Sequence, residues 1–208
     1  MREESRNRYA AYAMMLFCLV ALAVAGFATH GADANARVNA ALLWITLFFA
    51  AMTGLGRSFI KEEERGAMEL LRCAAAPGPL FAGKALFNLA LLALCAATLT
   101  PLFCLLLNVK PGNPALLAAV VAAASLPIAA VSTLVSALVS QSRARGMLFP
   151  ALAFPVPVVP FSVAVRATAA ALRGDSFAAQ SMPLVFLGAF AVVAFTVSLF
   201  LFEFVFED

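Results

Sequence analysis

The residues with the most evident chemistry form one segment, Arg57-Ser-Phe-Ile-Lys-Glu-Glu-Glu-Arg-Gly-Ala-Met-Glu-Leu-Leu-Arg72. Opposite charges recur three or four positions apart, at Lys61/Glu64, Glu62/Arg65, Arg65/Glu69 and Glu69/Arg72. That is the spacing at which side chains meet on a helix surface. Ile60, Ala67, Met68 and Leu71 add an apolar stripe at offsets of 7, 8 and 11, as on an amphipathic helix. Gly66 can break the helix, so a short second piece runs from Ala67 towards Cys73 and ends before Pro77-Gly-Pro79. One reading is a solvated loop between two membrane helices. The mixed-sign pattern fits better a surface that docks on another protein.

Other candidate groups offer less. Gly78-Pro-Leu-Phe-Ala-Gly83-Lys84-Ala85 approaches a phosphate-binding loop, but Ala85 replaces the hydroxyl that would hold magnesium and no strand precedes it. Any ATP and magnesium therefore belong to another polypeptide. His30 is the only histidine, a weak haem ligand in isolation. Cys18, Cys73, Cys95 and Cys104 contain no CxxC spacing, and three of them lie in apolar runs, so neither a metal site nor a disulfide framework is expected. No catalytic residue is assigned, and an enzyme is not expected.

The elements that carry these groups are membrane spans. Of the 208 residues, 64% are hydrophobic and 12% charged, whereas a soluble domain holds about 45–50% apolar residues. Long apolar runs occur at Tyr9–Thr29, Val38–Gly56, Leu80–Asn108, Pro114–Ser140, Met147–Val165 and Met182–Phe204. A bilayer needs about 20 apolar residues per helix, so the expectation is an all-α integral membrane protein with six transmembrane helices, one permease domain over residues 1–208, and a cytoplasmic segment at 57–79. The first run is longer than a signal peptide's apolar core, and Glu3 and Glu4 interrupt its basic leader. With both termini cytoplasmic, Arg2, Arg6, Arg8, Arg57, Lys61, Arg65, Arg72, Lys84, Arg143 and Arg145 lie inside. Arg37, Lys110, Arg166 and Arg173 lie outside, the asymmetry that sets orientation. Carboxylates within the spans, which proton-coupled transporters use, are missing from the spans' middles.

The fifth run holds Pro150, Pro155, Pro157 and Pro160. Interior prolines remove backbone donors, so a broken or re-entrant element, or a kinked span, is expected there. Pro127 is expected to kink the fourth run. The alanine-rich Arg166–Arg173 stretch reads as a short helix at the outer surface, ended by Gly174.

Gly56-Arg-Ser-Phe59, then Glu62, Glu64, Gly66, Glu69 and Leu71, then Gly83-Lys84-Ala85-Leu86 with Asn88, together resemble the heme exporter protein B (CcmB) family. Pro101-Leu-Phe103, Arg143-Ala-Arg145 and the proline-rich fifth run extend the likeness over about Leu42 to Gly174. The E-x-E-x-G-x-x-E spacing alone is shared with many type-2 ABC permeases. Two departures are the short basic segment before the first span and Arg72-Cys73-Ala-Ala-Ala76 after the acidic motif, where a leucine-rich stretch is usual.

The resemblance implies a permease subunit in the bacterial inner membrane that serves cytochrome c biogenesis. Its implied partners are a cytoplasmic ATPase subunit (CcmA), CcmC, CcmD and the haem chaperone CcmE. It also implies that Arg57, Phe59, Glu62, Glu64, Gly66, Glu69 and Leu71 form the ATPase-coupling interface. The proline-broken run with Arg166 then becomes the outer responder. Two-fold symmetry of ATPase dimers makes a homodimer the expected assembly. One histidine without paired ligands argues against a haem pore through this subunit. The alternatives are another type-2 permease exporting a lipid, drug or polysaccharide, and a non-transporting membrane scaffold.

Overall fold

The computed structural model describes Leu16 and residues 19–27, 35–55, 77–140 and 158–207. Among these residues every regular element is helical. Helix α1 covers 19–27. It is followed by α2 (Ala36–Leu55), α3 (Pro77–Leu106), α4 (Pro114–Ser140), α5 (Val158–Arg173), a 3-10 turn at Ala178–Gln180, and α6 (Ser181–Glu207). Among the described residues three helices are long and apolar enough to cross a bilayer: Pro77–Leu106, Pro114–Val139 and Ala178–Glu203, with Ala36–Ala51 as a shorter apolar helix. At 1.5 Å per residue, α3, α4 and α6 are each about 40 Å or longer, against about 30 Å of hydrocarbon.

Local sequence explains where the helices begin and end. Asn113 caps α4: its Oδ1 accepts the Leu116 N–H at 3.0 Å, and Pro114 follows at the first helical position, where no donor is needed. Pro77 and Pro79 likewise sit in the first turn of α3, three residues ahead of the expected start at Leu80. Two helices end in the same hydrogen-bond pattern. After α3, Asn108 adopts φ 51°, and Val109 N–H bonds the Cys104 carbonyl at 2.9 Å. After α5, Gly174 adopts φ 91°, and Asp175 N–H bonds the Ala170 carbonyl at 3.0 Å. A left-handed residue closing a 6→1 bond is the Schellman arrangement.

Helix α4 is the centre of the packing. Its lower half, from Ser132 to Ala137, is buried apart from half-buried Leu134, and its most extensive partner is α6. Alanines, serines and threonines fill it, and small side chains let neighbouring backbones approach where lipid removes the hydrophobic drive between helices. The serines and threonines turn their hydroxyls back onto the helix, as Ser125 does to the Val121 carbonyl (2.7 Å) and Thr133 to that of Ala129 (2.6 Å). The main core joins Leu22, Leu43, Trp44, Leu47, Leu99, Phe103, Leu116, Ala167 and Leu187 from all six helices. By contrast, α6 exposes Met182, Val185, Val192, Val193 and Phe200, and α3 exposes Leu86, Leu94 and Leu105. Apolar rows of this length suit lipid as solvent.

The helices alternate in direction. Gly26 of α1 lies beside the Leu106 carbonyl. The α3–α4 connection touches the end of α5, and the start of α2 faces the ends of α5 and the 3-10 turn. These contacts gather at one end of the bundle. At the other end Gly78 of α3 lies beside Glu203 of α6, and Phe81, Ala137 and Phe202 pack together.

Candidate functional site

The end where α2 and α6 begin is built from backbone. Gly112 N–H donates to the Leu172 carbonyl at 3.1 Å and Asn113 N–H to that of Ala171 at 2.9 Å. The Asn113 Nδ2 donates to the Asp175 carbonyl at 3.0 Å. The final carbonyls of α5, which a helix cannot satisfy internally, are thus bonded by the α3–α4 loop and the Gly174 turn. Gly112 and Gly174 pack so closely that a Cβ on Gly112 would stand 2.6 Å from the Gly174 Cα and N. No flexible side chain is there to give way.

Helix α5 is held from the side as well. The Trp44 Nε1–H donates to the Thr168 Oγ1 across 2.9 Å, with both residues buried. Phe161 sets its ring edge-on to Trp44 (5.8 Å) and Phe48 (5.1 Å). Ala164, Ala167, Ala169, Ala170 and Ala171 are buried. The alanine-rich stretch is therefore no separate surface helix. It is the second half of α5 and lies in the core, because methyl side chains let α2 and α4 pack close to it. Gly174 ends it as expected.

Beside this weld lies a cavity of about 370 Å³ lined by Arg37, Val163, Arg166, Arg173, Gln180 and Pro183 among others. Arg166 and Arg173 are two turns apart on one face of α5, a rise of about 10 Å. Arg37 comes from the first turn of α2, whose backbone is capped by Asn35 Oδ1 at 3.2 Å. Arg173 pairs with Asp175 at 3.5 Å on the surface. Among the described residues neither Arg37 nor Arg166 has a carboxylate partner.

A second polar contact lies inside the bundle. Asn88 of α3 donates through Nδ2 to the Thr133 Oγ1 of α4 at 2.8 Å, both buried. Sequence reading noted Asn88 but missed its partner, as it missed Thr168 and the single tryptophan. Their one sequence signal is polarity inside an apolar run.

A family model described as CcmB protein matches residues 1–206. The chain belongs to the CcmB family. A search of curated proteins returned no match. CcmB proteins are integral membrane permease subunits of the ABC heme exporter in cytochrome c maturation, and the family is not one of enzymes. Membership implies an ATPase partner and other Ccm proteins.

Within this CcmB chain the expected site residues fall in different places. Arg57, Phe59, Glu62, Glu64, Gly66, Glu69 and Leu71 lie outside the described residues, as do His30, Pro150, Pro155 and Pro157. Pro160 occupies the third position of α5 and is buried. A proline in the first turn lacks a donor that would have no partner anyway, so a regular helix starts within the proline-rich run and continues to Arg173. Arg166, expected just beyond a span, stands midway along α5 and faces the cavity. The Gly78–Ala85 stretch lies in the opening turns of α3, so its backbone forms a helix and no phosphate-cradling loop. Pro127 stays inside an unbroken α4.

Proposed function

We propose that this CcmB chain is the mechanical half of an ABC-type complex, with the segment around Glu62, Glu64, Gly66, Glu69 and Leu71 docked in a groove on the cytoplasmic ATPase CcmA. Arg57 and Phe59 lie at the membrane edge of that contact. ATP binding closes the ATPase dimer and moves the segment, and α2 and α3, which it joins, carry the movement across the bilayer. The outer end then frees the haem-loaded chaperone CcmE from CcmC, with CcmD alongside. Haem is cargo of the complex and need not pass through this subunit. Two copies of the chain match the two-fold ATPase dimer, and both termini lie in the cytoplasm.

The observation that carries this reading is the family match over residues 1–206. Its physical support is the topology: the 56–76 segment connects the ends of α2 and α3 remote from the Gly112–Gly174 weld. Both helices contribute to the core that holds α5, so a tilt imposed at one end has a packed path to the other.

The decisive experiment reverses Glu62, Glu64 and Glu69 to lysine together. Co-purification of CcmA should fall, and cytochrome c maturation should be lost while the variant remains in the membrane at normal abundance. Normal maturation in that variant rejects the docking role.

A further inference from the structure

Of the four basic residues assigned to the outer side in the proposed orientation, three line a single cavity, Arg37 and Arg173 at the outer end and Arg166 two turns deeper on α5. The positive-inside rule disfavours basic residues at this end, so their convergence calls for a local reason. All three are arginines, whose planar donor fork matches phosphate and carboxylate oxygens. The nearby carboxylate, Asp175, sits against Arg173 at 3.5 Å and is partly solvated, which leaves Arg37 and Arg166 uncompensated among the described residues. A solvated surface ion pair of that kind holds its partners weakly, too weakly to keep Arg173 from a stronger anion.

The surroundings define the anion further. Val163 and Ala170 make part of the lining apolar. The cavity opens where α2 and α6 enter their apolar stretches, since Arg37 is the second residue of α2 and Pro183 the third of α6. Directly along those helices run exposed Val38 and Ile45 on α2, and exposed Met182, Val185 and Phe186 on α6. A ligand with a charged head and long apolar chains would satisfy both parts. Basic pockets between membrane helices bind acidic lipid head groups on the cytoplasmic side of membranes, and the same arginine–phosphate chemistry is available at this end. We infer that the Arg37–Arg166–Arg173 cavity holds the phosphate of an anionic phospholipid, with the acyl chains lying along the exposed apolar rows of α2 and α6. The lipid ties α2, α5 and α6 together at the end opposite the 56–76 segment.

The test uses the full complex purified in mild detergent, with bound lipid counted by native mass spectrometry. Wild type should retain phosphatidylglycerol or cardiolipin in preference to phosphatidylethanolamine. The R37Q/R166Q/R173Q variant should retain at least about tenfold less of the anionic lipid, equivalent to about 1.4 kcal/mol. Delipidated complex should gain thermal stability from phosphatidylglycerol and none from millimolar inorganic phosphate. The single variants R166Q and R173Q, each at an exposed position, should give intermediate losses and guard against misfolding of the triple variant. Equal lipid retention by wild type and the single and triple variants overturns the assignment. Stabilisation by inorganic phosphate that matches the lipid also overturns it, in favour of a free-anion site.

Discussion

Gly112 and Gly174 are joined backbone to backbone: a methyl group on Gly112 would lie 2.6 Å from the Cα and N of Gly174. This contact fastens the α3–α4 loop to the end of α5, next to Arg173 of the cavity. Gly112→Ala should destabilise the purified protein by about 1–3 kcal/mol, the usual range for overpacking. Gly174→Ala should cost about 1–2 kcal/mol, because its φ of 91° places a side chain in the left-handed region. Gly83→Ala and Gly188→Ala are the controls. Both lie within helices and have nothing within 4 Å of the added methyl, so they should be neutral or slightly stabilising. Thermal melting in detergent separates the two pairs, and equal effects would show that the close approach does not matter.

Thr168→Val removes the acceptor of the Trp44 indole N–H and leaves a buried donor unsatisfied. The expected loss is about 1–3 kcal/mol. Trp44→Phe combined with Thr168→Val should cost less than the sum of the single changes, because the stranded donor goes with its partner. Chemical denaturation of all three variants forms the cycle, and strict additivity would remove the bond from the account.

The Asn88–Thr133 bond crosses from α3 to α4 within the bundle. Bonds of this kind between membrane helices contribute on average about 0.6 kcal/mol and reach about 1.7, because each group finds other partners when the helices separate. A double-mutant cycle of Asn88→Ala and Thr133→Ala should give a coupling energy in that range. A coupling near zero would mean that the two side chains are satisfied independently.

Orientation can be read chemically. In a background where Cys18, Cys73, Cys95 and Cys104 are replaced, Ser176→Cys lies at the exposed turn before the 3-10 segment. A membrane-impermeant thiol reagent should label it in intact cells or spheroplasts. Glu64→Cys should be labelled only after the membrane is opened. The reverse pattern would invert the proposed topology and place the cavity in the cytoplasm.

The hydropathy of the chain by itself established an all-helical membrane protein, because apolar runs of about 20 residues have few other ways to satisfy their backbone in lipid. The helix start at Pro114 and the stop at Gly174 were equally legible, since helix ends depend on a few adjacent residues, whereas Pro77 reads as the end of the preceding segment and proves to be the first residue of α3. The resemblance to CcmB rested on short motifs along one chain and needed no three-dimensional contact. Tertiary structure decided what local pattern could not. Arg166–Arg173 reads as an alanine-rich surface helix, yet its alanines and Thr168 lie in the core between two exposed arginines, because alanine's small size is an asset only where neighbouring helices pack close. Pro160 reads as a breaker and acts as a starter, because its effect depends on its place in the helix. Arg37 is 129 residues from Arg166 in the chain, and only the meeting of α2, α5 and α6 at one end of the bundle makes them walls of the same cavity.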